Sequence, residues 1–266
     1  MERRADREYL KSVAYADGRL LADRASLYEF QQPRINLAAA VLHALGDAAS
    51  GRVLDVGCGY GTYLAALVSQ GGAVVGADLS IGMLRGVTSQ PAGLVVADAQ
   101  RLPIARASVD AVLMMHMLYH VPEPALGVRE ARRVLRRGGR LVAAVGGPRH
   151  LAQARDLWIP LLEEEGIDGD LRDLGFLNTR LPPATLGAML TDAFDEVDLT
   201  ILASEVVLTD PGPLLRHASS TTAAKVTAER GADMIARLSA AVSAVIADTG
   251  DFRITTEVAL FTAGRA

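Results

Sequence analysis

Cysteine is nearly missing: Cys58 stands alone in 266 residues. That excludes an internal disulfide and any zinc site built on several cysteines. Its place between Gly57 and Gly59 marks a small residue accommodated in a tight turn, not a nucleophile. Lysine is almost as scarce, with Lys11 and Lys225 the only two among 27 basic residues. Arginine is the default cation, a skew we read as the mark of a GC-rich bacterial genome. No apolar run reaches the roughly 18 residues needed to cross a bilayer, and the start, MERRADREYLKSV, is too charged for a signal peptide. A cytoplasmic protein with no membrane partner is expected. The net charge of -4 lacks the concentrated cationic surface that nucleic acid requires. One basic cluster, Arg129, Arg132, Arg133, Arg136 and Arg137, reads as a single solvated helical face stopped by Gly138-Gly139. Oligomeric state leaves no mark in the sequence.

Half the residues are apolar, enough for a substantial core. Five short apolar runs alternate with helical patterns: Val53 to Val56, Ala73 to Ala77, Leu94 to Ala97, Ala111 to Met114 and Leu141 to Val145. Such runs fit parallel strands buried on both faces, with helices as crossovers. The spacing predicts a doubly wound α/β sheet. Two later stretches, 194 to 203 and 252 to 262, alternate apolar and polar residues, as a closing antiparallel pair does. Between Val145 and the first of these strands lie a predicted helix over Leu151 to Glu165 and a turn-rich stretch around Gly166 to Pro183, and between the two strands lies an insertion with a predicted helix over Ala232 to Ala247. With residues 1 to 34 they are expected to cap the carboxyl ends of the strands, where open α/β sheets bind ligands.

The first of the five strands runs into DVGCGYG, with Gly57, Gly59 and Gly61 at alternate positions. A glycine turn between strand and helix lets backbone approach a ligand closely. Asp78 follows the second strand, 21 residues after Gly57, placed to accept hydrogen bonds from both hydroxyls of a ribose. NAD and S-adenosylmethionine both satisfy that geometry. The dinucleotide fingerprint reads GxGxxG where this chain reads GxGxG, and no Gly-Lys-Ser/Thr follows for a phosphate loop. An NAD-dependent oxidoreductase therefore stands second.

The segments VLDVGCGYGTYL, VVGADLSIGML, VVADAQRLPIARASVDAVLMMHMLYHV and RVLRRGGRLV resemble, in order, the motifs of class I S-adenosylmethionine-dependent methyltransferases, especially the ubiquinone/menaquinone-type small-molecule branch. The resemblance covers roughly residues 50 to 145. It implies a Rossmann-like, mostly parallel seven-stranded sheet with an antiparallel final strand and a helical cap. The expected divisions are an N-terminal helical lid at 1–34, a cofactor-binding core at 35–147, and residues 148–266 with cap insertions at about 148–182 and 206–248. It also implies that Asp55 orients the glycine turn and reaches the amino group of the cofactor's methionine, beside Gly57, Gly59 and Gly61. Asp78, with Leu79, takes the ribose. Met83 lies against the adenine, and Asp98 and Ala99 read its amino group. The stretch YADGRLLADRASLYEF resembles the covering helix of some relatives, which assigns Arg24 to the cofactor's carboxylate, with Tyr15 beside it.

Methyl transfer is an in-line displacement on an already activated sulfonium, leaving S-adenosylhomocysteine. Alignment can supply about 7–11 kcal/mol, against roughly a hundredfold to ten-thousandfold for a positioned base. Candidates for acceptor contact and proton transfer follow the fourth strand: His116, Tyr119 and His120. His150 and His217 fall in the expected cap with no fixed direction, and Trp158 and Phe176 are candidates for an apolar pocket wall. The amine-methylating Asn/Asp-Pro-Pro-aromatic motif is missing after that strand, and no aspartate and asparagine set suits a catechol-type magnesium site. The expected activity is metal-independent methylation of a small molecule at O, N or C, with specialised-metabolite synthesis preferred. A protein that binds the cofactor for regulation or a non-methylating rearrangement is the alternative.

Overall fold

The computed structural model describes residues 7–166, 181–222 and 228–266; Phe176 and most of the turn-rich stretch lie outside them. One eight-stranded sheet runs through the molecule in the order β1-β7-β8-β6-β5-β2-β3-β4. Its strands are β1 Gln31–Gln32, β2 Arg52–Val56, β3 Ala73–Asp78, β4 Gly93–Val96, β5 Val109–Met115, β6 Leu135–Gly146, β7 Glu196–Leu208 and β8 Phe252–Gly264. The β4-β3-β2-β5-β6 half is parallel. β8 runs antiparallel to both β6 and β7. The seven expected strands are therefore present, and the two-residue β1 adds an eighth by pairing Gln31 with Val206.

Period-two alternation sends neighbouring residues to opposite faces of the sheet. Leu54, Val112, Met114, Ala143 and Val145 face one layer, which contains α6 Pro124–Val134 and α8 Pro183–Ala193. Val53, Ala111, Leu113, Val142 and Ala144 face the other, with α3 Leu37–Leu45 and α4 Leu64–Val68. The helices start where local chemistry lets them. Asn36 accepts the Ala39 N–H ahead of α3, and Ser80 accepts the Met83 N–H ahead of α5, Ile81–Leu84. Pro124 and Pro183 open α6 and α8, where no N–H is needed.

The arginine-rich helix is shorter than its spacing suggests. It ends at Val134 because Leu135 turns extended and pairs with Val109, so Arg136 and Arg137 belong to β6. The arginines there serve separate structural partners. Arg132 pairs with Asp195, Arg133 with Glu130, and Arg136 with Asp110.

A third apolar cluster lies beyond the strand ends. It joins α7 Ala152–Glu164, α9 Gly212–Thr222 and α10 Ala228–Thr249 to the far ends of β7 and β8. β7 continues to Leu208, opposite Phe252, so the insertion expected from 206 begins after that residue. Trp158 is 1% exposed inside this cluster and packs there instead of lining a pocket. The N-terminal segment, with α1 Arg7–Tyr9 and α2 Arg19–Ser26, crosses the top of the sheet, and α2 packs on α9. Among the described residues no helix is long and apolar enough to cross a membrane.

Candidate functional site

The carboxyl ends of the parallel strands open into a cavity of about 920 Å³. The sheet order sets its layout. Asp98 follows edge strand β4, Asp78 ends β3, the glycine turn follows β2, His116 and His120 follow β5, and His150 follows β6. Neighbouring strands lie about 4.8 Å apart, so these groups form a row along one groove.

Backbone bonds build the glycine turn. The N–H groups of Gly57 and Cys58 both donate to the Ala77 carbonyl, at 2.7 and 3.1 Å. Gly57 has φ +73°, and a Cβ there would lie 2.7 Å from Met117 Cβ, so only glycine fits. Gly57 and Gly59 line the cavity. Gly61 does not: its open side meets Leu64 and Val87, which makes it a packing position between the turn and neighbouring helices. Cys58 is buried, and burial pushes its thiol well above the ordinary range, so it is inert as a nucleophile.

Asp78 bridges turn and strand. One carboxylate oxygen accepts the Gly59 N–H at 2.9 Å and the other accepts the Ser80 N–H at 2.8 Å. Burial raises its pKa, partly offset by those N–H groups. Leu79, Met83 and Ala99 join it in the wall, with Met83 1% exposed against the glycine turn. Asp55 is different. It is 1% exposed beneath the turn, off the cavity wall, and its Oδ2 has no hydrogen-bond partner among the described residues. Burial, with a contribution from Asp78, pushes its pKa up to about 7.

The N-terminal segment lies directly on this row. The Ser80 hydroxyl donates to the Tyr15 carbonyl at 2.7 Å, and the Tyr15 hydroxyl meets His120 Nε2 at 2.7 Å. The Arg24 guanidinium sits 5.0 Å from the Tyr15 ring centre and donates to its hydroxyl at 3.4 Å. Arg7 pairs with Asp98, which also accepts the Gln100 N–H at 3.0 Å. Gly82 makes the approach possible, since a Cβ there would lie 1.8 Å from the Ala16 carbonyl oxygen. That contact left no trace in the sequence.

At the other end of the cavity stand Tyr28, His116, His150 and His217. His116 holds φ +51°, in the left-handed region that few non-glycine residues adopt, while its N–H continues the ladder to the Ala144 carbonyl at 2.9 Å. Burial lowers its pKa to about 4. Tyr119 packs edge-on against His120, ring centres 4.5 Å apart. His217 Nδ1 lies 3.1 Å from the Arg24 carbonyl and joins the cap to α2. The structure brings every expected site residue except Asp55 and Gly61 to the cavity wall, and adds Tyr28, His150 and His217, whose contacts cross more than a hundred residues of sequence.

Residues 54–143 match the family described as methyltransferase domain. A demethylmenaquinone methyltransferase of Beutenbergia cavernae is 44% identical over 107 residues, 40% of this chain and 45% of that protein. The match thus spans less than half the length of that relative. Among solved structures, a phosphoethanolamine N-methyltransferase of Haemonchus contortus, in complex with phosphomonomethylethanolamine and S-adenosylhomocysteine, superposes with TM-score 0.58 at 17% identity. It covers 98% of this chain and 60% of its own. The 4+2 cyclase SpnF superposes with TM-score 0.52 at 20% identity over 86% of this chain and 81% of its own. These two likenesses are of fold.

Proposed function

We propose that this chain, whose residues 54–143 match a methyltransferase domain and whose fold resembles that of solved methyltransferases, uses S-adenosylmethionine to transfer a methyl group to an uncharged small molecule. The observation that carries the reading is the joint placement of Gly57, Gly59 and Asp78 in one wall of a cavity that extends on to a set of neutral polar groups. At about 920 Å³ it lies near the upper end of the roughly 300–1,000 Å³ range of ligand pockets, which leaves room for an acceptor beside a cofactor.

The residues fit S-adenosylmethionine on structural grounds. Gly57 and Gly59 present backbone with φ of +73° and +57° to the cavity. Asp78 has its two oxygens fixed by N–H donors yet retains lone pairs for ribose hydroxyls. Buried Asp55, with an unpaired oxygen under the turn and a pKa of about 7, is ionised in part at neutral pH and would be drawn to its charged form by a cation above it. Arg24 and Tyr15 cover the carboxylate end, and Asp98 with Ala99 takes the adenine end. When bound, S-adenosylmethionine supplies an activated methyl carbon. The chain's own contribution is orientation and exclusion of water by the N-terminal segment. With a pKa of about 4, His116 holds a substrate proton only weakly at neutral pH, so it positions the acceptor more than it deprotonates it.

The acceptor end is built by residues such as Tyr28, Ile35, His150, His217 and Val258, all outside the 54–143 match. The relative's quinone-type acceptor therefore does not transfer with the core, and we place this chain in specialised-metabolite synthesis. Ring-carbon methylation of a demethylmenaquinone is the second reading, favoured by the 44% identity of the matched segment.

Titration calorimetry with S-adenosylmethionine, S-adenosylhomocysteine and NADH tests the cofactor; binding of NADH alone would sink the proposal. Asp78→Ala is expected to weaken S-adenosylmethionine binding at least tenfold, a loss of about 1.4 kcal/mol or more. Mass spectrometry of candidate acceptors, demethylmenaquinone included, then reads the gain of one methyl group. Because SpnF shows that a cyclase occupies this fold, product formed without that gain would replace methyl transfer by a rearrangement.

A further inference from the structure

The loop after β6 holds a hydrogen-bond chain whose direction the backbone dictates. Buried Glu257 accepts the Arg149 N–H at 2.9 Å and its Nε–H at 2.8 Å. Gly147 lets the loop approach, since a Cβ there would sit 2.5 Å from Glu257 Cβ. So clamped, the Glu257 backbone N–H donates to His150 Nδ1 at 3.1 Å.

A neutral imidazole carries one ring proton, and with Nδ1 accepting, that proton is on Nε2. Burial, assisted by His116 and His217, lowers the His150 pKa to about 3, which keeps the ring neutral. His150 Nε2–H therefore donates to the Tyr28 hydroxyl oxygen, 3.0 Å away, while the two rings stack with centres 5.9 Å apart. The Tyr28 proton cannot return to His150. Burial holds that proton on the phenol by raising its pKa. Tyr28 and His150 both line the cavity, next to Ile35, Leu151 and Val258. The result is a directed O–H donor on the β6 and β8 side of the groove, in a wall that mixes Ile35, Leu151 and Val258 with the imidazole rings of His116 and His217.

We propose that Tyr28, oriented by His150, donates a hydrogen bond to a carbonyl oxygen of an uncharged acceptor and selects such acceptors over ones that lack the oxygen. This deepens the methyl-transfer reading and rests on it for the word acceptor; the ligand preference itself does not depend on turnover. A carbonyl suits the site because it only accepts, so it satisfies the phenol without bringing a second proton that needs a partner. Sites built to bond an oxygen discriminate against its absence because their own polar group is then left unpaired.

The test uses the full chain, with and without S-adenosylhomocysteine, and two probes that differ only in the oxygen, 1-tetralone and tetralin. The wild type is expected to bind 1-tetralone about three- to tenfold more tightly, with the carbonyl stretch moved to lower wavenumber in the infrared. Tyr28→Phe is expected to abolish both the preference and the shift while leaving S-adenosylhomocysteine affinity within about twofold of wild type. Should that variant lose its circular dichroism, His150→Phe takes its place: it removes both the acceptor for the Glu257 N–H and the donor to the Tyr28 oxygen, and the preference is expected to fall toward equal binding of the two probes. Equal binding of the probes by the wild type, no binding of 1-tetralone, or a preference that survives Tyr28→Phe overturns the proposal. Failure of S-adenosylhomocysteine to bind, with the tetralone preference intact, overturns the cofactor reading and not this one.

Discussion

Asp55 joins stability to binding at a single residue. A carboxylate buried beneath the glycine turn with one oxygen unpaired resists ionisation, and its pKa stands at about 7. In the unfolded chain it titrates near 4, so between those values the folded protein holds the proton more tightly. Its contribution to stability is therefore highest below about pH 4 and is lost as pH rises to about 7. Asp55→Asn is expected to stabilise the ligand-free protein at pH 8 by roughly 1–4 kcal/mol, with the gain shrinking at pH 5. Urea denaturation at the two pH values measures it, and parallel pH dependences for both proteins would refute the assignment. Calorimetric affinity for S-adenosylmethionine is expected to fall in the same variant, since the negative charge below the turn is gone. Asp55 and Asp78 were legible because they lie at the carboxyl ends of adjacent strands in contiguous motifs. Tyr28 with His150 was not, since a hydrogen bond across 122 positions leaves no local pattern.

At the level of elements, two glycines of similar appearance do different work. Gly57 opens the wall to a ligand, whereas Gly82, inside the short helix α5, opens it to the N-terminal segment. A Cβ at 82 would drive into the Ala16 carbonyl, with the Ser80 hydroxyl next nearest at 3.4 Å. Gly82→Ala is thus expected to lift the segment around Tyr15 while sparing the core. Amide exchange over residues 7–30 should accelerate, S-adenosylhomocysteine affinity should drop about tenfold, and the main unfolding transition should barely move. A large loss of global stability with unchanged exchange there would contradict this. The inner strands were legible because parallel pairing buries both their faces; β4, read from the same kind of apolar run, lies at the sheet edge and leaves Leu94 and Val96 exposed. The end of α6 was not. Arg136 and Arg137 keep helical spacing with Arg129, Arg132 and Arg133, but pairing of Leu135 with Val109 converts the chain to a strand before them. Tertiary pairing overrode local pattern.

Across the whole molecule, the cavity is walled by three parts far apart in sequence: the N-terminal segment, the turns that follow β2, β3, β4 and β5 of the core, and the β6 loop and strand β8 with α9. The middle part was readable because it is continuous. The outer parts were readable only as departures from the sheet pattern, since their contacts, such as α2 on α9, join residues almost two hundred positions apart. A ligand filling this cavity must therefore couple them. At a hundred times its dissociation constant, S-adenosylhomocysteine is expected to add about 2.7 kcal/mol to unfolding. If the ligand seats between all three walls, protection from amide exchange should rise together in residues 15–30, 57–61 and 254–258. It should stay unchanged around Asp110, at the opposite end of the sheet, where Arg52 and Arg136 already hold the strands. Protection confined to the glycine turn would mean that the cofactor leaves the N-terminal segment and cap uncoupled, so that the acceptor alone must draw them together. Adding 1-tetralone to the S-adenosylhomocysteine complex distinguishes these outcomes: further protection limited to Tyr28, His150 and their neighbours is expected where the cofactor has already closed the segment over Tyr15.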